Sequence, residues 1–168
     1  MTVFYNELPP LIKNKTLAVT GHRILKKDFS KEIVKSNLKK IIESGYDIFL
    51  VGMAIGFDLA CYEALDELKK EYDFIKLTAV IPCVNQADGY GEEDKKLYEK
   101  FVEKADYKVV ISEKYTPNCM LKRNDFMLEN ADGLYAYYNG VKRSGTYYTL
   151  SRAKKRGMEI FRYGEYNF

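Results

Sequence analysis

Residues 51–65, VGMAIGFDLACYEAL, decide the fold class of this chain. The apolar run at 48–51 ends on Gly52, and Gly56 then precedes Asp58 and an amphipathic pattern. Such a run, followed through glycines by apolar residues at helical spacing, is typical of a buried strand that turns directly into a helix. Strands joined through helices pair in parallel. The stretch therefore predicts an α/β protein.

The same alternation of strand and helix continues along the 168 residues. Predicted strands occupy residues 16–20, 47–51, 75–81, 107–112, 133–138 and 158–161. Predicted helices run from the N-cap Ser30 to Gly45 and over residues 56–71, 92–105, 121–130 and 144–156, with an irregular stretch at 82–91. We therefore predict one domain, spanning residues 1–168, with a Rossmann-like three-layer sandwich and a mainly parallel sheet.

The composition is that of an ordinary soluble protein, with 46% hydrophobic and 30% charged residues and a net charge of +3. No apolar run is long enough to span a membrane, and the N-terminus lacks the apolar segment of a signal peptide. These features predict a cytoplasmic protein without a membrane partner. The small positive charge permits an anionic ligand and does not require nucleic acid.

Cysteine and histidine are too sparse for a disulfide framework or a zinc site. The chain has three cysteines and one histidine, and the cysteines (Cys61, Cys83 and Cys119) lie far apart. We predict no metal site and no cofactor. Cys61 shares a helical face with Phe57 and is predicted to be a core residue.

Ligands of an open parallel sheet bind at the carboxyl ends of its strands. Two of the turns at these ends carry glycines and open helices, whose first amides suit a phosphate. The predicted ligand-binding residues are Gly21, His22, Arg23, Gly52, Met53, Gly56, Phe57, Asp58, Pro82, Gln86, Arg123, Asn124, Gly140, Ser144, Gly145 and Thr146.

Other nucleotide-binding classes do not fit these turns. The first strand is not followed by G-x-G-x-x-G, and the second turn lacks the lysine of a Walker loop, which disfavours an NAD dehydrogenase and a P-loop NTPase. A triad of Ser144, His22 and Asp58 is disfavoured because any protein of this kind contains a serine and an aspartate, so their presence beside the single histidine is no signal.

Tyrosine is abundant, with 15 residues. In the predicted strand 133–138, Tyr135 and Tyr137 lie on one face and Tyr138 on the other. Tyrosine on both faces is unusual for a dry central strand, so we predict that part of this surface faces the ligand or a second subunit, as in a homodimer.

Several short motifs occur in the order known from one superfamily: TGHR (20–23), GMAIGFDLACYEAL (52–65), KRN (122–124) and SGTYYTLSRAKKRG (144–157). The chain resembles the SMF/DprA–LOG (SLOG) superfamily. The long stretch at 85–115, with RND and ADGLYAYY after it, is more narrowly similar to the YpsA-like branch, which has no assigned reaction. The resemblance covers nearly the whole chain from about residue 16.

The resemblance implies a Rossmann-like fold that binds nucleotides or nucleotide-derived ligands. Its members include lonely-guy phosphoribohydrolases, a single-stranded-DNA-binding recombination mediator, and sensors of cyclic ADP-ribose signals, and they often self-associate. The phosphoribohydrolase motif resembles P-G-G-x-G-T-x-x-E, with a catalytic glutamate. Aligned on Gly145 and Thr146, that glutamate falls on Thr149, and 142–144 replace most of the proline–glycine run.

Three functions stay open from the sequence. The favoured one is a protein that binds a nucleotide-like small molecule, such as an ADP-ribose derivative, as a sensor or sequestering agent. The second is a nucleotide N-glycosidase, which would need Asp58 or Asp125 in place of the missing glutamate. The third is a single-stranded nucleic-acid binder that uses tyrosines and basic clusters.

Overall fold

The structure, a computed structural model, describes residues 15–164. The strands form one six-stranded sheet in the order β4-β3-β2-β1-β5-β6, and every neighbouring pair is parallel. The strands are β1 (Lys15–Gly21), β2 (Tyr46–Val51), β3 (Lys76–Cys83), β4 (Tyr107–Ser112), β5 (Gly133–Tyr137) and β6 (Glu159–Arg162). The helices are α1 (Lys31–Glu43), α2 (Phe57–Leu68), α3 (Glu92–Lys104), α4 (Cys119–Glu129) and α5 (Gly145–Lys155), with a 3₁₀ helix at Gln86–Gly89.

Two apolar cores cover the two faces of the sheet. Helices α1, α2 and α3 pack on one face, where Leu17 and Val19 point, and α4 and α5 pack on the other, against Ala18. The alternation along β1 follows from the two-residue period of a strand. The predicted Rossmann-like three-layer sandwich is therefore confirmed, and the sheet is parallel throughout.

The chain reverses its direction of travel across the sheet beside β1. It moves from β1 outward through β2 and β3 to β4, and then returns to place β5 on the opposite side of β1. The loops that leave β1 and β5 therefore diverge, and a crevice opens between the carboxyl ends of these two strands. This reversal positions the candidate site.

The observed elements differ from the predicted ones in small ways. Helix α4 begins at Cys119, not at residue 121, because a turn that includes a bond from the Cys119 amide to the Thr116 carbonyl (3.1 Å) leads straight into it. Pro82 belongs to β3 and not to the irregular stretch. Proline is tolerated there because β3 pairs with β2 only as far as Ala79. At Pro82 the strand has a hydrogen-bonded neighbour only on the β4 side, so the missing N–H breaks no hydrogen bond to β2.

The tyrosines of β5 are buried and form hydrogen bonds to other parts of the chain. Tyr135 and Tyr137 are buried, and their hydroxyls accept hydrogen bonds from Asn37 Nδ2 and the Lys26 amide, each at 2.9 Å. These two rings hold α1 and the loop before it against the sheet. Because they are buried within the chain, they give no support to a homodimer, which stays a prediction.

None of the helices within residues 15–164 is long and apolar enough to cross a membrane.

Candidate functional site

A cleft of about 420 Å³ lies at the carboxyl ends of β1 and β5. Its walls come from the loop after β1, the start of α2, the first half of α4 and the loop that enters α5. The lining residues are Val19, Thr20, Gly21, His22, Arg23, Ile24, Ala54, Asp58, Met120, Leu121, Arg123, Asn124, Asn139, Val141, Ser144, Gly145 and Thr146. The cleft therefore occupies the crevice that the strand order predicts.

The N-terminus of α5 opens into this cleft. Ser144 is its N-cap: the Ser144 Oγ accepts from the Tyr147 amide at 3.1 Å and donates to the Val141 carbonyl at 2.7 Å. The first amides of a helix have no partner within it, and here they belong to Gly145, which is exposed, and Thr146. Together with the helix dipole they form an anion-binding end.

A buried carboxylate lies in the opposite wall. Asp58, in the first turn of α2, is 5% exposed, and its Oδ2 accepts from the Ala54 amide at 3.2 Å. Its other oxygen, Oδ1, is buried and accepts no hydrogen bond from the described part of the chain. Burial raises the pKa of Asp58 to about 6, although the positive charges of Arg123 and Arg23 oppose the rise.

The guanidinium of Arg123 reaches the cleft from α4 and is also buried. It donates to the Gly52 carbonyl, and its Nε donates to Asn124 Oδ1 at 2.7 Å. Burial lowers the pKa of Arg123, while the charge of Asp58 opposes that change. A Cβ on Gly52 would lie 2.6 Å from Arg123 Nη1 and 2.9 Å from Asp58 Oδ2, so these buried charges fit only beside a glycine.

The start of α2, in contrast, is covered by the backbone of the loop after β1. The Phe57 amide donates to the His22 carbonyl at 3.2 Å. Gly56 has a φ of +83°, and a Cβ there would lie 2.4 Å from the Arg23 carbonyl oxygen. The glycine therefore lets the loop after β1 cross the start of α2, and the Phe57 amide is not presented to the cleft.

His22 contributes a neutral ring to the cleft. It stacks on Tyr138 with ring centroids 5.8 Å apart, and it meets Tyr137 edge-on. Its Nε2 is buried and has no hydrogen-bond partner among residues 15–164. Burial lowers the pKa of His22 below its ordinary value of 6.5, so the uncharged imidazole predominates at neutral pH.

The structure brings most of the predicted site residues to one place. Those that line the cleft are Gly21, His22, Arg23, Asp58, Arg123, Asn124, Ser144, Gly145 and Thr146.

The other predicted residues do not line the cleft: Gly52, Met53, Gly56, Phe57, Pro82, Gln86 and Gly140. Several of them support its walls. Gln86 Nε2 donates to the Gly52 carbonyl at 3.0 Å, and the Tyr90 hydroxyl donates to the Met53 carbonyl at 3.0 Å. Phe57 is fully buried and stacks on Tyr137, so its ring is not available to a base.

Some lining residues were not predicted. Thr20 lies in the last residues of β1, and Ala54 and Asn139 lie in the turns after β2 and β5, so their places at or just after strand ends were an available signal. Met120 was missed because α4 begins earlier than the apolar pattern suggested, and Leu121 was missed because an apolar residue at a helix start gives no sign of a ligand site.

Of the two carboxylates considered for catalysis, Asp58 lines the cleft and Asp125 does not. Thr149, at the position of the family glutamate, is buried, and its hydroxyl donates to the Gly145 carbonyl at 2.8 Å. Asp125 accepts from the Tyr148 hydroxyl at 3.0 Å and pairs with Arg152 Nε at 3.1 Å, outside the cleft. Among the described residues, Asp58 is the one carboxylate in the lining.

Comparison with known proteins agrees with this architecture. The family model described as the YspA SLOG family matches residues 13–163. The UPF0398 protein YpsA of Bacillus subtilis is 28% identical over 154 residues, covering 84% of this chain and 86% of that protein. A UPF0398 protein of Bacillus thuringiensis is 30% identical over 164 residues, covering 90% and 89%.

A solved structure shares the fold. It is DNA processing protein A from Helicobacter pylori, described for its single-stranded DNA binding mode, with a TM-score of 0.67 and 18% identity over 93% of this chain and 68% of that one. The family match extends over the sheet, both helical layers and every wall of the cleft, and on this evidence the chain belongs to the YspA SLOG family.

Proposed function

We propose that the cleft binds a nucleotide or a nucleotide-derived small molecule of the ADP-ribose type, and that the protein acts by holding this ligand as a sensor or sequestering protein. The observation that carries the proposal is that one cleft contains both a site for an anion and a carboxylate oxygen that can accept a hydrogen bond. The start of α5 attracts an anion, whereas Asp58 Oδ1 receives no hydrogen bond from residues 15–164.

A ligand must carry both a phosphate and hydroxyl groups to satisfy these two walls. The phosphate would accept from the amides of Gly145 and Thr146, with Arg23 supplying positive charge. A ribose hydroxyl would donate to Asp58. Inorganic phosphate has no ribose hydroxyl to offer the carboxylate, and a free nucleoside has no phosphate for the helix terminus.

The size and the apolar surfaces of the cleft suit a nucleotide. Its volume of about 420 Å³ lies within the usual range for small-molecule sites, about 300–1,000 Å³. The neutral ring of His22, already stacked on Tyr138, offers a planar surface for a base.

One observation favours a second function, nucleotide N-glycosidic cleavage. A general acid or base works best when its pKa lies near the working pH, and the pKa of Asp58 is about 6. Glycosidases, however, commonly use two carboxylates, and the lining within residues 15–164 contains one. We therefore place holding of the ligand ahead of its cleavage.

The binding proposal is tested by thermal-shift measurements with AMP, NAD, ADP-ribose and cyclic ADP-ribose. A ligand at a hundred times its dissociation constant adds about 2.7 kcal/mol to the free energy of unfolding, which raises the melting temperature clearly. Mass spectrometry of the recovered ligand separates holding from cleavage: an intact ligand supports the proposal, and a released base would replace it with the enzymatic function.

The variant Gly145→Asp gives the sharpest control. Gly145 is exposed, and a Cβ there meets only Asn124 Nδ2, at the ordinary contact distance of 3.5 Å. A negative charge at this position stabilises the helix but repels a phosphate. We expect the free variant to melt no lower than the parent and to lose the ligand shift.

Gly145→Asn, of nearly equal size and without charge, is the matched variant and should keep part of the shift. Equal ligand shifts in the parent and in Gly145→Asp would show that no phosphate binds at α5.

A further inference from the structure

A second cavity continues the cleft beyond the N-terminus of α5. This basic groove, of about 610 Å³, shares Leu121, Ser144 and Gly145 with the cleft as a common wall. Its other lining residues are Lys142, Arg143, Tyr147, Tyr148, Ser151, Arg152 and Lys155. A ligand whose phosphate lies on the start of α5 therefore has open space on both sides of that phosphate.

The groove carries positive charge, and none of the described residues in its lining is acidic. Arg152 pairs with Asp125, but Lys142, Arg143 and Lys155 are exposed and form no ion pair with any residue that the structure describes. On the other side of the sheet, three lysines of α1 each face a glutamate of α2 or of the turn after it, so those cations are already neutralised. Unpaired cations gathered in one concave surface attract an anion.

The groove also presents flat surfaces to a base. The Tyr148 hydroxyl is held by Asp125 at 3.0 Å, and the Arg152 guanidinium lies over the Tyr148 ring, 5.3 Å from its centroid. A guanidinium plane on an anchored tyrosine is a stacking platform of the kind that binds bases without reading their sequence. Cations and rings together match the chemistry of a nucleotide unit.

We infer that the groove binds a second, phosphate-linked nucleoside of the same ligand that occupies the cleft. The ligand class is therefore a dinucleotide or a short single-stranded oligonucleotide rather than a mononucleotide. Its linking phosphate lies across Ser144 and Gly145, the wall that the two cavities share. The inference rests on the proposed function of the cleft and adds the second half of the ligand.

The test compares dissociation constants, measured by titration calorimetry, for AMP, NAD, the dinucleotide pApA and a short oligo(dA). We expect one or more of the longer probes to bind about 5- to 150-fold more tightly than AMP, the gain expected from one additional stacked base. Preference among them distinguishes a pyrophosphate-linked small molecule from a nucleic-acid strand. Each additional phosphate contact should also steepen the salt dependence of the affinity by about 0.7 in log–log slope.

Two charge-matched variants locate the effect. Lys142→Gln/Lys155→Gln removes two cations from the groove, and Lys154→Gln/Arg156→Gln removes two exposed cations that lie outside its lining. We expect the groove variant to lose the extra affinity for the longer probe and to keep the affinity for AMP. The control variant should leave both affinities nearly unchanged.

The outcomes separate this inference from the proposed function. If AMP binds and no longer probe binds more tightly, the cleft function stands and the second subsite is overturned. The second subsite is also overturned if both double variants weaken binding of the longer probe equally. If AMP fails to bind but the oligonucleotide binds through the groove cations, the small-molecule function of the cleft falls, the ligand shared by the two cavities falls with it, and the groove is a nucleic-acid site by itself.

Discussion

Replacing Asp58 by asparagine should change how the stability of the protein depends on pH. In the folded protein the pKa of Asp58 is raised from its ordinary value of 3.8 to about 6, because burial penalises the charged form more than Arg123 and Arg23 favour it. The folded state therefore binds this proton more tightly than the unfolded state does. By linkage, the contribution of Asp58 to the free energy of unfolding falls as the pH rises from about 4 through about 6.

The size of the effect follows from the two pKa values. A rise from 3.8 to about 6 corresponds to about 3 kcal/mol, at about 1.4 kcal/mol for each pKa unit. Asn cannot ionise, so Asp58→Asn should resemble the protonated parent at every pH. We expect the stability of the variant relative to the parent to increase by about 2.5 kcal/mol between about pH 4 and pH 7.5, because part of the effect has already occurred at pH 4, close to the ordinary pKa of 3.8.

Urea unfolding of both proteins across this pH range measures the difference. Any constant offset from the substitution cancels in the trend, and His22 titrates in both proteins. Asp73→Asn, the same substitution at an exposed carboxyl, is the matched control variant. A difference that stays constant from pH 4 to 7.5, or that shrinks with rising pH, would refute the reasoning, since Asp58 would then be ionised as readily in the folded state as in the unfolded chain.

Three further predictions concern the scaffold and the single imidazole. Gly56→Ala should lower the free energy of unfolding by at least about 1–3 kcal/mol, because its φ of +83° disfavours any side chain, whereas Gly89→Ala, with nothing within 4 Å of its Cβ, should stay near the parent in the same urea titration. The one histidine of the chain, His22, should give an NMR titration midpoint below 6.5, and a midpoint above that value would show that its burial does not control its charge. Lys35→Glu should cost at most about 1 kcal/mol at low salt and Lys35→Glu/Glu67→Lys should restore the loss, since the pair is 3.0 Å apart and half-exposed; a double variant no better than the single one would remove the pair as the cause.

The fold could be predicted because its signals are local. Apolar runs mark the strands, and two serines mark helix starts: Ser30 Oγ accepts from the Ile33 amide, and Ser144 Oγ accepts from the Tyr147 amide. Helix α4 has no side-chain cap at Asn118, which is why its beginning was misplaced.

The site could be predicted only in part, because two turns with similar sequences differ in whether their helix start is open to a ligand. Both Gly56 and Gly145 precede or open a helix, and the sequence does not distinguish them. The difference comes from a contact between residues far apart in the sequence. The His22 carbonyl accepts a hydrogen bond from the Phe57 amide at the start of α2, whereas Gly145 at the start of α5 stays exposed. The raised pKa of Asp58 likewise depends on burial that only the assembled fold creates.

The close approach of Arg123 to Gly52 ties two distant positions of the chain together. The missing side chain at 52 is the space that the guanidinium at 123 fills, and the same space borders the carboxylate of Asp58. Relatives that carry a larger residue at the position of Gly52 should therefore have lost the arginine as well. Among sequences of this family, the two positions should change as a pair, and that joint change would mark the members whose clefts no longer hold a buried positive charge.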